Sequence, residues 1–181
     1  MPAGTRDNLD MPVSADVLRS HLAYTAWASR RLVEAAARLS PEELKRDFQT
    51  ADHSVLGTLV HVFAADRIWL ARLSRTPRPG FVSDSDYSLA VLQNDWPVLH
   101  RRWQEWARGL ADPDIAADME YVDTKGTHWS LPLWQLVLHV VNHGTHHRGQ
   151  VSGFLRIMGY TPPPLDLVAY YREQKAAGQA S

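Results

Sequence analysis

The chain has 181 residues, is 45% hydrophobic and 22% charged, and carries a formal net charge of -1. This length fits one domain with a full hydrophobic core, and the near-neutral charge gives no electrostatic argument for a nucleic-acid or membrane partner. The absence of cysteine excludes disulfides and thiolate metal ligands, and it fits the cytoplasmic location that we expect. We expect neither a signal peptide nor a membrane span, because the sequence lacks the apolar runs that both require.

Segments with helical periodicity alternate with joints that contain proline and glycine. Ser14 is a suitable N-cap for the first helix, "SPEEL" indicates a capped turn, and Gly159 is a suitable C-cap for the last long helix. Pro97 either kinks the third helix or marks a late start. The pattern predicts long helices over 14–39, from 53 or 54 to 73, over 87–110 and over 132–158, and a short helix over 166–175.

A short hairpin is predicted before the last long helix. Residues 120–122 and 128–130 flank a turn at Lys125 and Gly126. Four long helices with joints of moderate length favour an all-α fold, an antiparallel four-helix bundle, in which sites are commonly built from facing helices. We predict a flexible N-terminal tail over 1–12, a single domain over 13–176 and a C-terminal tail over 177–181.

Three histidines crowd into the stretch "NHGTHHRGQ", residues 142–150. At about 100° per residue, His143 and His147 fall on the apolar face of the predicted helix, one turn apart. That spacing lets both imidazoles bind one ion. His139 and His146 fall just outside this face.

A third metal ligand has to come from another helix. His61 has small or apolar neighbours on its own helix, which suit a bundle-facing position and leave room for an ion and a water. Alternatively, His61 is a hydrogen-bonded core residue, and the pair on the last helix faces solvent. Three buried neutral imidazoles need partners for both ring nitrogens, and a divalent ion supplies one for each, which favours the metal site. No comparable support exists for His21, His53, His100 or His128.

Polar residues beside the histidines have weaker predicted roles. Asn142, His146 and Gln150 are candidates to orient the ligands through hydrogen bonds, or they form a polar flank. Arg148 is expected at the surface or at an interface. Core packing is the default for three tryptophans of the third helix, and a substrate cavity or a dimer interface is the alternative. They are Trp96, Trp103 and Trp106.

Three segments resemble the DinB/YfiT family of metal-dependent proteins. They are "AYTAWASRRLVEAAARLSPEEL", "SVLGTLVHVFAADRIWLARL" and "LPLWQLVLHVVNHGTHHRGQVSGFLRIMGYTPPPLDLVAYYRE". The resemblance implies a four-helix bundle that binds a divalent ion, often zinc or nickel, through His61, His143 and His147. In mycothiol-dependent isomerases of this kind the second ligand is a carboxylate, so His143 departs from that pattern and the resemblance does not by itself imply the isomerase role. The family name refers to damage induction and implies no DNA chemistry.

Three histidine ligands leave a coordination position for water, as in catalytic zinc sites. The open position predicts a metal-dependent enzyme that acts on a small molecule. The resemblance, whose members include enzymes that use low-molecular-weight thiols, implies that this enzyme is a thiol S-transferase or a hydrolase. The alternative is a non-catalytic metal-binding or stress-response protein in which the ion stabilises the bundle. The resemblance also implies a homodimer.

Overall fold

The computed structural model describes residues 13–80, 82–83 and 87–179. Its elements in chain order are α1 (Ala15–Ala36), α2 (Pro41–Leu44), α3 (Val55–Leu73), α4 (Leu89–Arg108), α5 (Asp112–Ala116), β1 (Asp118–Val122), β2 (His128–Pro132), α6 (Leu133–Ile157) and α7 (Leu167–Gln179). The predicted all-α four-helix bundle is confirmed, and so is the hairpin before α6, in which β1 and β2 pair antiparallel. Within the described ranges, no helix combines the length and the apolarity that a membrane span requires.

The long helices α1, α3, α4 and α6 form the bundle in an order that differs from their order in the chain. α1 packs against α4 and α6, and α3 packs against the same two helices. Consecutive long helices α1 and α3 therefore lie diagonally across the bundle. This arrangement makes α3 and α6 neighbours, although 59 residues separate the end of α3 from the start of α6.

The directions of the helices follow from their contacts. α3 and α6 run antiparallel, because the His61 ring contacts the His147 ring while Trp69, further along α3, contacts His139. α1 and α4 are also antiparallel, since the amide of Ala15 at the start of α1 donates to a carboxylate just beyond the end of α4.

α3 and α4, by contrast, run in the same direction. Phe63 contacts Trp96, whereas Asp66, further along α3, accepts a hydrogen bond from Trp103 through its carbonyl. In chain order the long helices point up, down, down and up. The connection over 74–88 spans roughly 50 Å when extended, more than the length of α3 of roughly 28 Å, so it can return the chain to the opposite end of the bundle.

The helix ends show the local chemistry that the sequence suggested. Ser14 caps α1 by accepting from the Val17 amide, and Ser40 forms a capping box with Glu43 at the start of α2. Gly159 follows α6 with a φ of 86°, a left-handed conformation that favours glycine. Pro97 lies inside α4 without ending it.

One boundary differs from the prediction. α7 continues to Gln179, beyond the predicted helix end at 175, so residues 177–179 of the predicted C-terminal tail over 177–181 are helical. The predicted N-terminal tail over 1–12 lies outside the described residues. α7 has one buried residue, Tyr170, which packs with the aromatic rings of Tyr24 and Trp27 on α1.

The bundle core is apolar except for a few buried polar groups. Trp96 and Trp103 are buried, as the core-packing interpretation expects, and the Trp96 indole donates to the buried carboxylate of Asp66 at 2.9 Å. The expectation that Arg148 lies at the surface is wrong, because its side chain is 1% exposed. It fits between α6 and α1 because Gly144, one turn earlier on α6, has no side chain in its path.

The contribution of the N-cap of α3, the helix that carries His61, can be tested at Ser54. Its hydroxyl accepts from the Gly57 amide at 3.0 Å in a buried position, so we expect Ser54→Ala to lower the free energy of unfolding by about 1 kcal/mol. Ser88 is the matched control, because it is the N-cap of α4 but its side chain forms no capping hydrogen bond. Ser88→Ala should therefore change the free energy of unfolding by only about a few tenths of a kcal/mol. Urea unfolding measures both, and equal losses would contradict this view of the cap.

Candidate metal centre

The three predicted histidine ligands come together at the interface of α3 and α6. His61 Nε2 lies 3.1 Å from His143 Nε2, and the His61 ring lies 4.5 Å from the His147 ring, centroid to centroid. One nitrogen from each of the three imidazoles lies within 4.8 Å of the other two. The predicted trio thus forms one cluster of side chains from two helices.

The spacing of these nitrogens fits a divalent ion. Two imidazole nitrogens bound tetrahedrally to zinc at roughly 2.0–2.1 Å stand roughly 3.3 Å apart, close to the separation of the two Nε2 atoms in this cluster. A neutral imidazole nitrogen without a proton carries a lone pair, and two such lone pairs repel at 3.1 Å unless a proton or a cation lies between them. The donor set and its geometry therefore suit zinc, nickel and other metals that bind imidazole.

A carboxylate and an amide contact the Nδ1 atoms of two of the imidazoles. Asp52 places one oxygen 3.3 Å from His61 Nδ1 and the other 3.5 Å from His147 Nδ1. Gln150 Oε1 lies 2.8 Å from the same nitrogen of His147. An oxygen at Nδ1 favours the tautomer that carries its proton there, which leaves the Nε2 lone pair free to bind an ion. The predicted orienting role of Gln150 fits this contact.

Asp52 was not among the predicted residues. It belongs to the loop before α3, whose tight path requires left-handed backbone at Gln49 and His53. Its carbonyl oxygen lies so close to Gly57 that a Cβ on that glycine would collide with it. The sequence did contain a signal: an Asp two residues before the cap of α3, with a glycine in the first turn to receive it.

Burial favours the neutral form of the two imidazoles on α6. Burial and the neighbouring imidazoles, His147 first among them, together lower the pKa of His143 to about 4. Burial also lowers the pKa of His147, while the hydrogen bond with Gln150 opposes that shift. Neutral imidazole is the form that binds metal, so both side chains are prepared for an ion at neutral pH.

The other histidines lie outside the triad. His146 is exposed, and its ring contacts the edge of His147, but it provides no atom to the cluster. His139 packs between Trp69 and His143. The remaining four lie elsewhere: His21 near the Val17 carbonyl, His53 near Asp47, His100 near Asp66 and His128 exposed in β2.

Fold and site together define a class: helical bundles whose facing helices present three histidines suited to a metal. The model of the DinB family matches residues 11–179, and the chain belongs to that family. Protein DinB from Bacillus subtilis (strain 168) is 22% identical over 153 residues, which cover 81% of this chain and 89% of that protein.

Two solved structures share the fold. A DinB-like protein from Bacillus cereus ATCC 10987 superposes with a TM-score of 0.65 at 19% identity, covering 85% of this chain and 99% of the other. YfiT from Bacillus subtilis superposes with a TM-score of 0.59 at 17% identity, covering 88% and 95%. That protein is described as a probable metal-dependent hydrolase with an unusual four-helix bundle topology.

Asp52 can be tested as the group that orients two ligands. Asp52→Asn retains the shape of the side chain but weakens its attraction for two Nδ1–H groups, so we expect zinc affinity to fall about 10- to 100-fold. Asp47→Asn is the matched control: Asp47 lies in the same loop and approaches His53, which is outside the triad. Titration of the metal-free protein with Zn²⁺ measures both, and equal affinities in the two variants would contradict the role of Asp52.

Gly57 can be tested as the residue that admits the Asp52 loop. In Gly57→Ala the added methyl group would push the Asp52 backbone away from α3. We therefore expect a loss of about 1–3 kcal/mol in the free energy of unfolding, together with weaker zinc binding. Gly153→Ala on α6 meets no atom within 4 Å and should stabilise the helix by about 1 kcal/mol. Thermal unfolding and zinc titration are the measurements, and a Gly57→Ala protein with wild-type zinc affinity would show that the loop does not position the site.

Proposed function

We propose that this protein is a divalent-metal-dependent enzyme, a hydrolase or a thiol S-transferase, that acts on a small molecule at the site of His61, His143 and His147. One observation carries this proposal: the imidazoles converge at an interface that solvent reaches. The His61 side chain is 41% exposed, whereas the His147 side chain is 12% exposed. A metal held for structure alone is ordinarily enclosed by four protein ligands, so a three-ligand site with an exposed edge favours catalysis.

Different residues would have different roles in such a site. The three imidazoles would hold a divalent ion, which would act as a Lewis acid and lower the pKa of a bound water or thiol. Asp52 and Gln150 hold the Nδ1 edges of the ligands, which fixes the rings. On α3 the side chains next to His61 are the small, half-buried Ala64 and Ala65, which leave space for a substrate beside the exposed ring.

The choice of reaction classes rests on the chemistry that they share. Hydrolysis requires an activated water, and thiol transfer requires a thiolate. A divalent ion held by the three histidines would favour the formation of either nucleophile. The description of YfiT as a probable metal-dependent hydrolase supports the first class. The donor set supports the second equally, since zinc and nickel bind thiolates well. We propose a low-molecular-weight thiol as the substrate of the second class.

The proposal predicts that activity follows the metal. Protein stripped of metal should be inactive, and Zn²⁺ or Ni²⁺ should restore hydrolysis of p-nitrophenyl acetate or conjugation of small thiols to monochlorobimane. We expect His61→Ala and His143→Ala to lower kcat/KM at least about 100-fold, because each leaves the ion with two ligands. His146→Ala is the matched control on α6, and it should retain activity and metal.

The test also separates catalysis from a structural role of the ion. A metal that raises the melting temperature of the bundle, while the loaded protein shows no activity in either assay, would favour the non-catalytic alternative. Activity that survives His143→Ala with metal binding abolished would contradict the proposed site.

A further inference from the structure

Arg148 is a buried cation without a buried counter-ion beside it. Its side chain is 1% exposed, and no carboxylate in the described part of the chain forms an ion pair with it. Nη2 donates to the Thr145 hydroxyl at 3.0 Å and Nη1 donates to the Ser29 hydroxyl at 3.4 Å, while Nε has no partner. A buried charge has lost its hydration, and neutral hydroxyls compensate that loss less well than a carboxylate or another anion does.

The groups near Arg148 do not neutralise its charge. Burial lowers the pKa of Arg148, while the charge and hydrogen-bond interactions with Tyr24 and the charge of Asp66 oppose the shift. The Tyr24 ring faces the guanidinium at 5.4 Å, a cation–π contact with a neutral group. Asp66 lies beyond ion-pair distance, and its carboxylate already accepts from the Trp96 indole.

Arg148 lines a cleft of about 820 Å³ between α1, α6 and residues 162–167. At about 100° per residue, the cleft occupies the face of α6 opposite His143, so it is separate from the metal centre. Thr145 is exposed on the wall of the cleft, and its hydroxyl accepts a hydrogen bond from Arg148. The guanidinium therefore lies directly behind a group at the protein surface. Arg156 and Asp166 also line the cleft with opposite charges, and Arg148 therefore leaves it with a net positive charge.

We propose that this cleft binds a small molecule through an oxyanion group, a carboxylate or a phosphate, with Arg148 as its anchor. The guanidinium retains N–H groups that Ser29 and Thr145 do not use, and an oxyanion that reaches them past the Thr145 hydroxyl would accept charge-assisted hydrogen bonds. The open volume accommodates a molecule of metabolite size above the anion. The site is independent of the proposed catalytic function, because none of its lining residues belongs to the triad.

Gly144 has a specific role in this site. A Cβ at this position would stand 2.7 Å from Arg148 Nη1, so the absence of a side chain creates the space in which the guanidinium lies. Gly144→Ala displaces the tip of a flexible side chain rather than backbone. It therefore moves the anchor while the helix retains its fold.

The test is thermal unfolding of metal-free full-length protein with increasing phosphate or, separately, acetate, at constant ionic strength. We expect the better anion to raise Tm by roughly 5 °C or more at about a hundredfold excess over Kd. Arg148→Met should abolish this rise. Arg172→Met, which removes a charge from an exposed position on α7, is the matched control and should retain it.

Isothermal titration keeps the proposal testable if Arg148→Met does not fold. We expect Gly144→Ala to raise the Kd for the anion about tenfold, because the guanidinium no longer meets it in the same geometry. Whichever of phosphate and acetate binds more tightly identifies the oxyanion. The proposal is overturned if neither anion stabilises the wild-type protein, if Arg148→Met responds as the wild type does, or if Gly144→Ala binds with unchanged Kd.

Discussion

The approach of His61 Nε2 to His143 Nε2 at 3.1 Å is the interaction on which the rest of the site depends. Two neutral rings at this distance need either a proton on one of the two Nε2 atoms or a cation between them. Burial opposes a second proton on His143, and the Asp52 carboxylate favours the proton of His61 on Nδ1, which leaves the Nε2 lone pair of His61 available. The loop conformation, the bare backbone of Gly57 and the cap on α3 all serve to hold that carboxylate in place.

This interaction also explains why the order of helices matters. In a bundle where each helix packs on the next, α3 would lie beside α1. The diagonal arrangement instead makes α3 and α6 neighbours, and their antiparallel directions bring the middle of one helix to the middle of the other. The long connection between α3 and α4 and the hairpin before α6 give the chain the reach for this arrangement. The connections are therefore part of how the site is assembled.

Much of this could be predicted from the sequence, because it depends on local periodicity. The i, i+4 spacing of His143 and His147 fixes a shared helix face whatever that face meets, and the small neighbours of His61 mark a position of close approach. The helix ends follow from caps such as Ser14 and Gly159, whose chemistry is confined to a few residues. These features need no knowledge of how distant segments pack.

The rest depends on contacts between segments that are far apart in the chain. Asp52 lies in a loop, where helical periodicity gives no orientation, so its two imidazole contacts follow only from the folded path. Arg148 lies about 20° beyond the apolar stripe of α6, an ambiguous position that helical geometry alone cannot resolve. Its burial depends on the space above Gly144 and on the hydroxyl that α1 provides through Ser29.

The aromatic contact of α7 with α1 has a consequence for local motion. α7 contacts α1 through a small aromatic cluster of Tyr24, Trp27 and Tyr170, which is separate from the main core. The Glu173 carboxylate on α7 also accepts a hydrogen bond from the Trp27 indole and forms an ion pair with Arg31. Segments with so few buried contacts open at lower free energy than the core around them. Tyr24 also donates to the Leu165 carbonyl in the proline-rich wall of the cleft beside Arg148. Local opening of this C-terminal unit would therefore disturb the wall of the cleft beside Arg148, whereas the three histidines lie on α3 and α6, which pack against each other in the bundle.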